Sequence, residues 1–241
     1  MTLFSSLGLR QELLDAIQDI GFSEATPIQS ETIPQLIEVK GERDLIALAQ
    51  TGTGKTAAFG LPLLHILSDL PSAEPKSPTA LILSPTRELC MQITGEMEKY
   101  GARSKQMRML AVYGGSSVRD QQRTMRKGVD ILVATPGRLM DLARRGDVKF
   151  DSLRTLVLDE ADEMLNMGFL DDVREVLEKS PDSMNTWFFS ATMPKQVERI
   201  TKDFMNDSIR VQIGTRNEAS SQVEHKAFLT TRENRYQGIR R

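Results

Sequence analysis

Cysteine, tryptophan and histidine are scarce in this sequence, with one, one and two residues, and aromatic residues make up 5% of it. Because a disulfide needs two cysteines, the single Cys90 excludes an internal disulfide and is typical of a reducing compartment. The N-terminus has no cationic segment followed by a long apolar stretch. No run reaches the roughly 18 apolar residues that a membrane helix needs. We therefore expect a soluble, cytoplasmic protein with no membrane partner.

A large excess of one charge is also missing. The 31 basic and 33 acidic residues leave a net charge of −2. Any contact with nucleic acid must therefore come from a local basic face. The length of 241 residues and the hydrophobic content of 39% allow a sizeable core and one or two domains.

What the sequence does contain is a regular alternation of short apolar runs with segments of helical period. Several runs are apolar on successive residues, as in strands that are buried on both faces of a parallel sheet. The alternation predicts right-handed βαβ units and a doubly wound, mostly parallel α/β domain with helices on both faces. The seven predicted strands are residues 44–49, 79–84, 107–112, 130–135, 155–159, 186–191 and 209–213.

The two ends of the chain depart from this alternation. Residues 1–38 contain two helical patterns, ELLDAIQDIGF and PIQSETIPQLIE, which predict an appendage to the sheet. After Gly214 the sequence becomes polar and rich in turn-forming residues, which is typical of a linker. We expect a first domain over 1–214, a linker over 215–224 and an incomplete further segment over 225–241.

The stretch AQTGTGKT (49–56) follows a predicted strand and opens a predicted helix. Gly52 and Gly54 allow consecutive N–H groups to point at a phosphate, Lys55 adds a positive charge, and Thr56 offers a hydroxyl to Mg²⁺. Ala49 stands where the general pattern has glycine. A glycine-rich turn with a chance Lys-Thr is the alternative, and the strand before and helix after argue against it. The stretch predicts a nucleoside triphosphate site in a P-loop domain.

Three carboxylates, Asp159, Glu160 and Asp162, follow another apolar run. An acid at the end of a neighbouring strand can hold the Mg²⁺ that bridges the terminal phosphates. Asp159 is placed for that role, and Glu160 can polarise the attacking water. Acids that favour the first turn of a helix are the alternative interpretation. Met164 and Met167 are interpreted as core residues at helical spacing.

These residues resemble the DEAD-box family of ATP-dependent RNA helicases. The family's motifs occur in order: the Q motif GFSEATPIQ (21–29), AQTGTGKT, PTREL (85–89), Gly114–Gly115, TPGR (135–138), DEAD (159–162) and SAT (190–192). The likeness extends from Phe4, the aromatic residue upstream of the Q motif, to about Gly214. It implies a RecA-like domain, with residues 225–241 as the start of a second one. Residues 37–45 are slightly longer than usual for the family.

The resemblance implies ATP and Mg²⁺ as cofactors, with ADP as product. Gln29 would read the adenine edge, since its amide offers one acceptor and two donors. Phe4 would stack on the base, or else pack as an apolar contact onto the first helix. Lys55, Asp159 and Glu160 would be catalytic, and Thr56 and Asp159 would hold Mg²⁺ through water. The residues assigned to ATP are Phe4, Gln29, Gln50, Thr51, Gly52, Thr53, Gly54, Lys55 and Thr56.

The remaining motifs are assigned to coupling and to RNA. Asp162 would be held by the hydroxyl groups of Ser190 and Thr192, which couples the nucleotide site to movement elsewhere. Backbone amides and basic side chains would contact single-stranded or duplex RNA through its phosphates and without sequence preference. The RNA-contacting residues implied by the resemblance are Pro85, Thr86, Arg87, Gly114, Gly115, Thr135, Pro136, Gly137 and Arg138.

The sequence lacks the H-R-x-G-R-x-x-R stretch that supplies an arginine finger from the second RecA-like domain of this family. We therefore expect a lobe that binds nucleotide, hydrolyses ATP barely at all alone, and needs the second domain as a partner for RNA unwinding. A DNA-directed motor or recombination ATPase on the same fold, and a purely binding lobe, remain alternatives.

Overall fold

The computed structural model describes residues 2–104 and 107–214. Its centre is a seven-stranded sheet in which every neighbouring pair is parallel. All seven strands predicted from the apolar runs are present, within one or two residues at each end. A separate small sheet is formed by β1 Thr2–Leu3 and β2 Glu24–Ala25. The seven strands of the main sheet are β3 Leu45–Leu48, β4 Ala80–Leu83, β5 Met109–Val112, β6 Ile131–Ala134, β7 Thr155–Asp159, β8 Asn185–Ser190 and β9 Ile209–Gln212.

The strand order across the sheet is β5-β6-β4-β7-β8-β3-β9. The central strands are buried on both faces, which explains why their sequences are apolar at successive positions. The edge strand β9 alternates buried and exposed residues instead. Because all strands run the same way, their carboxyl ends and the loops that follow them meet at one edge of the sheet.

Helices cover both faces of the sheet, as the alternation predicts. Two separate clusters of buried apolar residues result, one on each face. The first contains Trp187, Phe59 and Phe189, the last two in an edge-to-face contact at 5.2 Å. The helices are α1 Gln11–Asp19, α2 Pro27–Glu38, α3 Lys55–Leu67, α4 Arg87–Tyr100, α5 Val118–Met125, α6 Pro136–Arg144, α7 Ala161–Asn166, α8 Leu170–Lys179 and α9 Lys195–Phe204.

The N-terminal appendage contains the two predicted helices, α1 and α2, and also the small antiparallel sheet of β1 with β2, which the sequence did not predict. A 3-10 turn at Phe4–Ser6 follows β1 and buries Phe4. Pairing of Thr2 with Ala25 and of Leu3 with Glu24 brings the chain start beside the Q motif. The appendage therefore lies beside the loop that follows β3, to which Gln29 donates a hydrogen bond at Gly54.

The segment after the acidic motif differs in part from its interpretation. Ala161–Asn166 forms the short helix α7, and Met164 is buried as expected. Met167 is 47% exposed, so its assignment to the core was wrong. It is the C-cap residue of α7, where the helix ends before Gly168 turns the chain.

Within the described ranges, no helix combines the length and the apolar character that crossing a membrane requires. The predicted linker over 215–224 and the predicted segment over 225–241 lie outside the residues that the structure describes.

Candidate active site

A cleft of about 630 Å³ lies at the carboxyl edge of the sheet. It lies between the loop after β3, the end of β7, the Q motif and the exposed side of α4. Lys55 and Thr56 line it from the loop, Asp159 and Glu160 from β7, and Gln29 from α2. The structure thus brings together the catalytic and metal-binding residues predicted from separate parts of the sequence.

The loop between β3 and α3 holds Lys55 at the floor of the cleft. Lys55 is the first residue of α3 and is only 7% exposed. Its Nζ donates a hydrogen bond to the Ala49 carbonyl at 3.2 Å. The dipole of α3 adds positive potential at the same point. Loop N–H groups, a helix N-terminus and an ammonium group together suit a chain of phosphates.

Gly54 joins this loop to the Q motif. Its φ of +89° lies in the left-handed region. Its carbonyl accepts a hydrogen bond from Gln29 Nε2 at 3.0 Å, while Gln29 Oε1 accepts one from the Thr26 N–H at 2.9 Å. The two partners fix the amide orientation of Gln29, because an N–H can only donate and a carbonyl can only accept. One lone pair of Oε1 and one N–H of Nε2 are left for a ligand.

We expect Gly54→Ala to lower the free energy of unfolding more than Gly52→Ala. Both glycines have positive φ, +89° and +77°, where alanine costs about 1–2 kcal/mol. Only at Gly54 would the new methyl group also overlap a neighbour, the Nε2 atom of Gln29, whereas at Gly52 it would meet nothing within 4 Å. Urea unfolding of both variants without nucleotide measures the two losses. Equal losses would contradict the contact between Gly54 and Gln29.

Asp159 is the acidic counterpart of Lys55. It ends β7 and is 5% exposed. Burial raises the pKa of Asp159 from 3.8 to about 7, the Lys55 ammonium opposes the rise, and the Glu160 carboxylate adds to it. Asp159 Oδ1 accepts the Glu160 N–H at 3.1 Å. A carboxylate in this setting gains from a nearby cation, since a cation favours its charged form.

Glu160 has a φ of +51°, an uncommon left-handed conformation for a residue with a side chain. This conformation ends β7 and starts α7 in a single step. Glu160 therefore faces the same cleft as Asp159 although the two are adjacent in sequence. No signal in the sequence predicted this backbone strain.

The donors in the cleft suit Mg²⁺. That ion keeps several waters and is usually bound through one or two carboxylates together with substrate phosphates. Asp159 supplies a carboxylate and Thr56 a hydroxyl, and both line the cleft. In the described part of the chain, no group of three or more His, Cys, Asp or Glu side chains is placed to hold a metal.

Asp162 connects the acidic motif to the loop after β8. Its Oδ2 accepts hydrogen bonds from the Thr192 hydroxyl at 2.7 Å and the Thr192 N–H at 2.9 Å. Ser190 Oγ accepts the Asp162 N–H at 3.3 Å. Burial raises the pKa of Asp162, but hydrogen bonds from Thr192 and Ser190 outweigh this, so the net pKa is lowered. The three residues assigned to coupling thus lie together.

The far end of the cleft is aromatic. Phe4 is buried and lies nearly parallel to Phe22, with ring centroids 6.4 Å apart and 12° between the planes. Phe22 is 41% exposed, and the centroid of its ring lies 6.5 Å from that of the Tyr100 ring. Both Phe22 and Tyr100 line the cleft, and the sequence interpretation missed them. The position of Phe22 beside the Q motif glycine could have indicated it.

The α4 side of the cleft was also missed. Gln92 Nε2 donates to Glu96 Oε1 at 3.0 Å, and the Tyr100 hydroxyl donates to Glu96 Oε2 at 3.3 Å. Their spacing of four residues along α4 places these side chains on one face, towards the cleft. Two residues assigned to ATP, Gln50 and Thr53, do not line the cleft. Thr53 Oγ1 donates a hydrogen bond to the Gln50 carbonyl at 2.7 Å.

The residues assigned to RNA lie on the same edge of the sheet but on its other half. Their loops follow β4, β5 and β6, three adjacent strands, whereas the phosphate loop follows β3 and the acidic motif follows β7. The loops assigned to RNA and the phosphate loop therefore lie on different parts of this edge, although α4, which follows β4, also lines the cleft. The sequence order gave no indication of this division, because it depends on the strand order.

The PTREL segment is held by a helix cap and by a contact between an arginine and an aromatic ring. Thr86 caps α4 by accepting the Leu89 N–H at 3.2 Å, which leaves Arg87 exposed at the start of the helix. The Arg87 guanidinium lies 5.0 Å from the centre of the Tyr113 ring, an aromatic residue that the sequence interpretation passed over. Pro85 is buried, so its side chain supports the loop.

Arg138 joins two of the loops. Its Nη1 donates to the Ser116 carbonyl at 3.2 Å and to Gln121 Oε1 at 2.9 Å. This holds the TPGR turn, with Thr135 as N-cap and Pro136 as first residue of α6, against the Gly114–Gly115 loop. Gly137 and Gly114 are exposed there, and Gly115 has a φ of +83°. Arg138 and Arg87 thus connect the TPGR and PTREL segments to the loop around Gly114–Gly115.

Comparison with known proteins gives consistent matches. The family model of the DEAD/DEAH box helicases matches residues 26–200. The chain is 49% identical to the ATP-dependent RNA helicase CshA of Limosilactobacillus reuteri, over 87% of this chain and 41% of that protein. It is 46% identical to the CshA of Listeria monocytogenes, over 93% of this chain and 42% of that protein. The chain thus spans about two fifths of the length of these curated relatives.

Two solved structures have similar folds. One is a DEAD box protein from the hyperthermophile Methanococcus jannaschii, with a TM-score of 0.81, 35% identity and coverage of 88% of this chain and 56% of that one. The other is described as a hypothetical ATP-dependent RNA helicase from Sulfolobus tokodaii, with a TM-score of 0.76, 33% identity and coverage of 85% and 57%. Both similarities confirm the predicted fold class.

Proposed function

The chain belongs to the DEAD/DEAH box helicase family, and from this premise we propose that it is the nucleotide- and RNA-binding lobe of an ATP-dependent RNA helicase. The observation that carries the proposal is the cleft in which Lys55 faces the buried Asp159 beside the amide of Gln29. Mg²⁺ as the metal, sequence-independent RNA binding, a cytoplasmic location and a domain boundary near Gly214 belong to the same proposal.

Adenine recognition follows from the two hydrogen-bonding groups that Gln29 has left. Adenine presents an N6 donor and an N7 acceptor on one edge. A free lone pair on Oε1 and a free N–H on Nε2 complement that pair, whereas guanine presents two acceptors there. The base would lie at the aromatic end of the cleft, with Phe4 and Phe22 on one side. Gln29 would thereby select ATP over GTP.

Gln29→Ala should weaken the binding of ATP and ADP while leaving the weak affinity for GTP nearly unchanged. An adenine edge left without partners in a desolvated site costs roughly 1–3 kcal/mol. Competition of both nucleotides against a fluorescent adenine nucleotide measures the change. Because Gln29 also donates a hydrogen bond to the Gly54 carbonyl, a thermal unfolding curve of the variant serves as the control for lost stability. An equal loss for ATP and GTP would assign Gln29 a structural role alone.

Hydrolysis would use the residues around Asp159. Asp159 and Thr56 would hold Mg²⁺, which when bound neutralises charge on the terminal phosphates. Lys55 would bind the β- and γ-phosphate oxygens, and Glu160 would orient the attacking water and accept its proton. Glu160→Gln should therefore keep nucleotide binding and stop hydrolysis, since an amide of similar size cannot accept that proton.

Coupling would run through Asp162. Its three hydrogen bonds with Thr192 and Ser190 join the end of the acidic motif to the loop after β8. That strand lies between β7 and β3, the two strands that carry the metal-binding acid and the phosphate loop. A shift of the loop after β8 would therefore move residues at the nucleotide site, and this is how the proposed coupling would work.

RNA would lie across the loops after β4, β5 and β6. These loops offer backbone N–H groups, the N-termini of α4 and α6, and the arginines at 87 and 138. Such groups contact phosphates and carry no base information. The proposal therefore includes weak sequence preference.

Arg138→Ala should lower the salt dependence of single-stranded RNA binding by about one phosphate contact. Arg145→Ala is the matched control, because Arg145 follows the same helix at its other end and pairs with Asp141 at 2.9 Å. Fluorescence anisotropy with oligouridylate and oligocytidylate over a salt series measures both slopes. A strong preference for one base, or equal slopes for both variants, would contradict the assignment.

A further inference from the structure

A row of four basic residues follows the Gly114–Gly115 loop and takes no part in any sequence motif. Arg119 and Arg123 lie on α5, Arg126 is its C-cap residue, and Lys127 comes next. All four are exposed. Spacings of four, seven and eight residues from Arg119 place them on one face of a helix. We refer to these four residues as the α5 basic row.

The α5 basic row concentrates positive charge in a chain whose net charge is −2. Residues 118–127 carry the four cations and a single carboxylate, Asp120, so their net charge is +3. A contact with a polyanion needs such a local basic face when the protein as a whole is slightly acidic.

The fold itself makes little use of these charges. Among residues 2–104 and 107–214, the side chains of Arg119 and Arg123 have no ion-pair or hydrogen-bond partner. Arg126 only approaches Asp147, at 4.0 Å. Arg119 lies in the first turn of α5, where the helix dipole disfavours a cation. Helix stability therefore does not explain Arg119, although it favours Arg123 in the last turn.

The start of the row adjoins the proposed RNA surface, and the row runs from there towards the start of β5, where the Lys127 carbonyl accepts a hydrogen bond from Arg108 Nη1. α5 follows β5, the outermost of the three strands whose loops carry the RNA-assigned motifs. Arg138 fixes the start of α5 by its bonds to Ser116 and Gln121. From Arg119 to Lys127 the row extends about 12 Å along the helix. That length matches several phosphates at about 3.4 Å per nucleotide of one duplex strand.

Resting on the proposed function of this lobe, we propose that the α5 basic row binds phosphates of the same RNA strand, beyond the nucleotides held by the three motif loops. Arginine suits this role because its planar guanidinium forms paired hydrogen bonds with phosphate oxygens. The row offers no aromatic side chain for stacking, so it would add affinity and salt dependence without adding sequence preference.

The test compares Arg119→Gln/Arg123→Gln with wild type on a fluorescent oligouridylate much longer than the three-strand edge of about 10 Å. Two lost phosphate contacts should reduce the slope of log K against log salt by about 1.4. Between about 50 and about 200 mM salt, wild type should then lose roughly sevenfold more affinity than the variant. On an oligouridylate that only spans the motif loops, the two proteins should bind alike.

The control removes the same charge elsewhere. Lys195→Gln/Arg199→Gln changes two exposed cations with the same spacing on α9, beside the opposite edge of the sheet. It should retain the wild-type slope. Equal slopes for all three proteins, while Arg138→Ala still binds RNA less well, would overturn the α5 assignment alone. Absence of RNA binding by the wild-type chain would overturn both this inference and the proposed RNA surface.

Discussion

Replacing Lys55 with alanine should lower the affinity for MgATP roughly tenfold to a hundredfold, the loss expected for about 1.5–3 kcal/mol of hydrogen bonding to a charged group. Lys55 begins α3 and is nearly buried at the floor of the cleft, so no other side chain of the loop can take its place. Its loss also removes the cation that opposes the raised pKa of Asp159. The neighbouring carboxylate would then be a poorer metal ligand at neutral pH.

Titration with a fluorescent adenine nucleotide, with and without Mg²⁺, measures this loss. Lys99→Ala is the matched control, because Lys99 lines the same cleft from α4 but is exposed and outside the loop. Its removal should change the affinity little. If Lys55→Ala bound MgATP as well as wild type, or if both variants lost equally, the phosphate-loop assignment would be wrong.

The sheet was predictable because of where its strands lie. β4, β6 and β7 are buried on both faces, so their sequences contain runs of successive apolar residues that stand out between helical patterns. The phosphate loop was predictable from its residue types, since glycine, lysine and threonine seldom occur together after a strand for any other reason. The prediction failed where short segments are governed by tertiary contacts. The two-residue strands β1 and β2 are too short to show a period.

Within the site, the sequence identified residue types better than it identified contacts. Gln29 was predicted to read adenine, but its bonds to Thr26 and Gly54, which leave half of its amide for a base, depend on how α2 packs beside the loop. Phe22 was included in the helical pattern ELLDAIQDIGF, whereas α1 ends at Asp19 and Phe22 lies beyond it in the lining of the cleft. The positive φ of Glu160 is a local strain that the surrounding fold imposes, so composition and spacing cannot predict it.

The arrangement of the loops at the carboxyl edge is compatible with the proposed binding of two ligands by one domain. The nucleotide-assigned loop and acidic motif follow β3 and β7, while the RNA-assigned loops follow β4, β5 and β6. β4 and β7 are hydrogen-bonded neighbours along their length. This pairing connects the two regions through the sheet.

ATP turnover by this chain alone should be very slow, even with saturating RNA. The transition state for phosphoryl transfer needs positive charge on the terminal phosphate, and an arginine finger contributes roughly 10³–10⁵ in rate. Among the described residues that line the cleft, Lys55 and Lys99 are the cations, and no arginine is present. In the proposed arrangement Lys55 binds the phosphates and Lys99 lines the cleft from α4, so we expect this charge to come from elsewhere.

Fusing the chain to the remaining part of a CshA relative, which this chain does not cover, should therefore raise RNA-stimulated phosphate release by roughly 10³–10⁵. Glu160→Gln in the fusion separates catalysis at this cleft from a contaminating ATPase, since that variant should bind ATP and release no phosphate. RNA-stimulated release of about 1 per second by the unfused chain would contradict the need for a second lobe. A fusion that stays inactive while binding ATP and RNA would show that positive charge on the terminal phosphate is not what the lobe lacks.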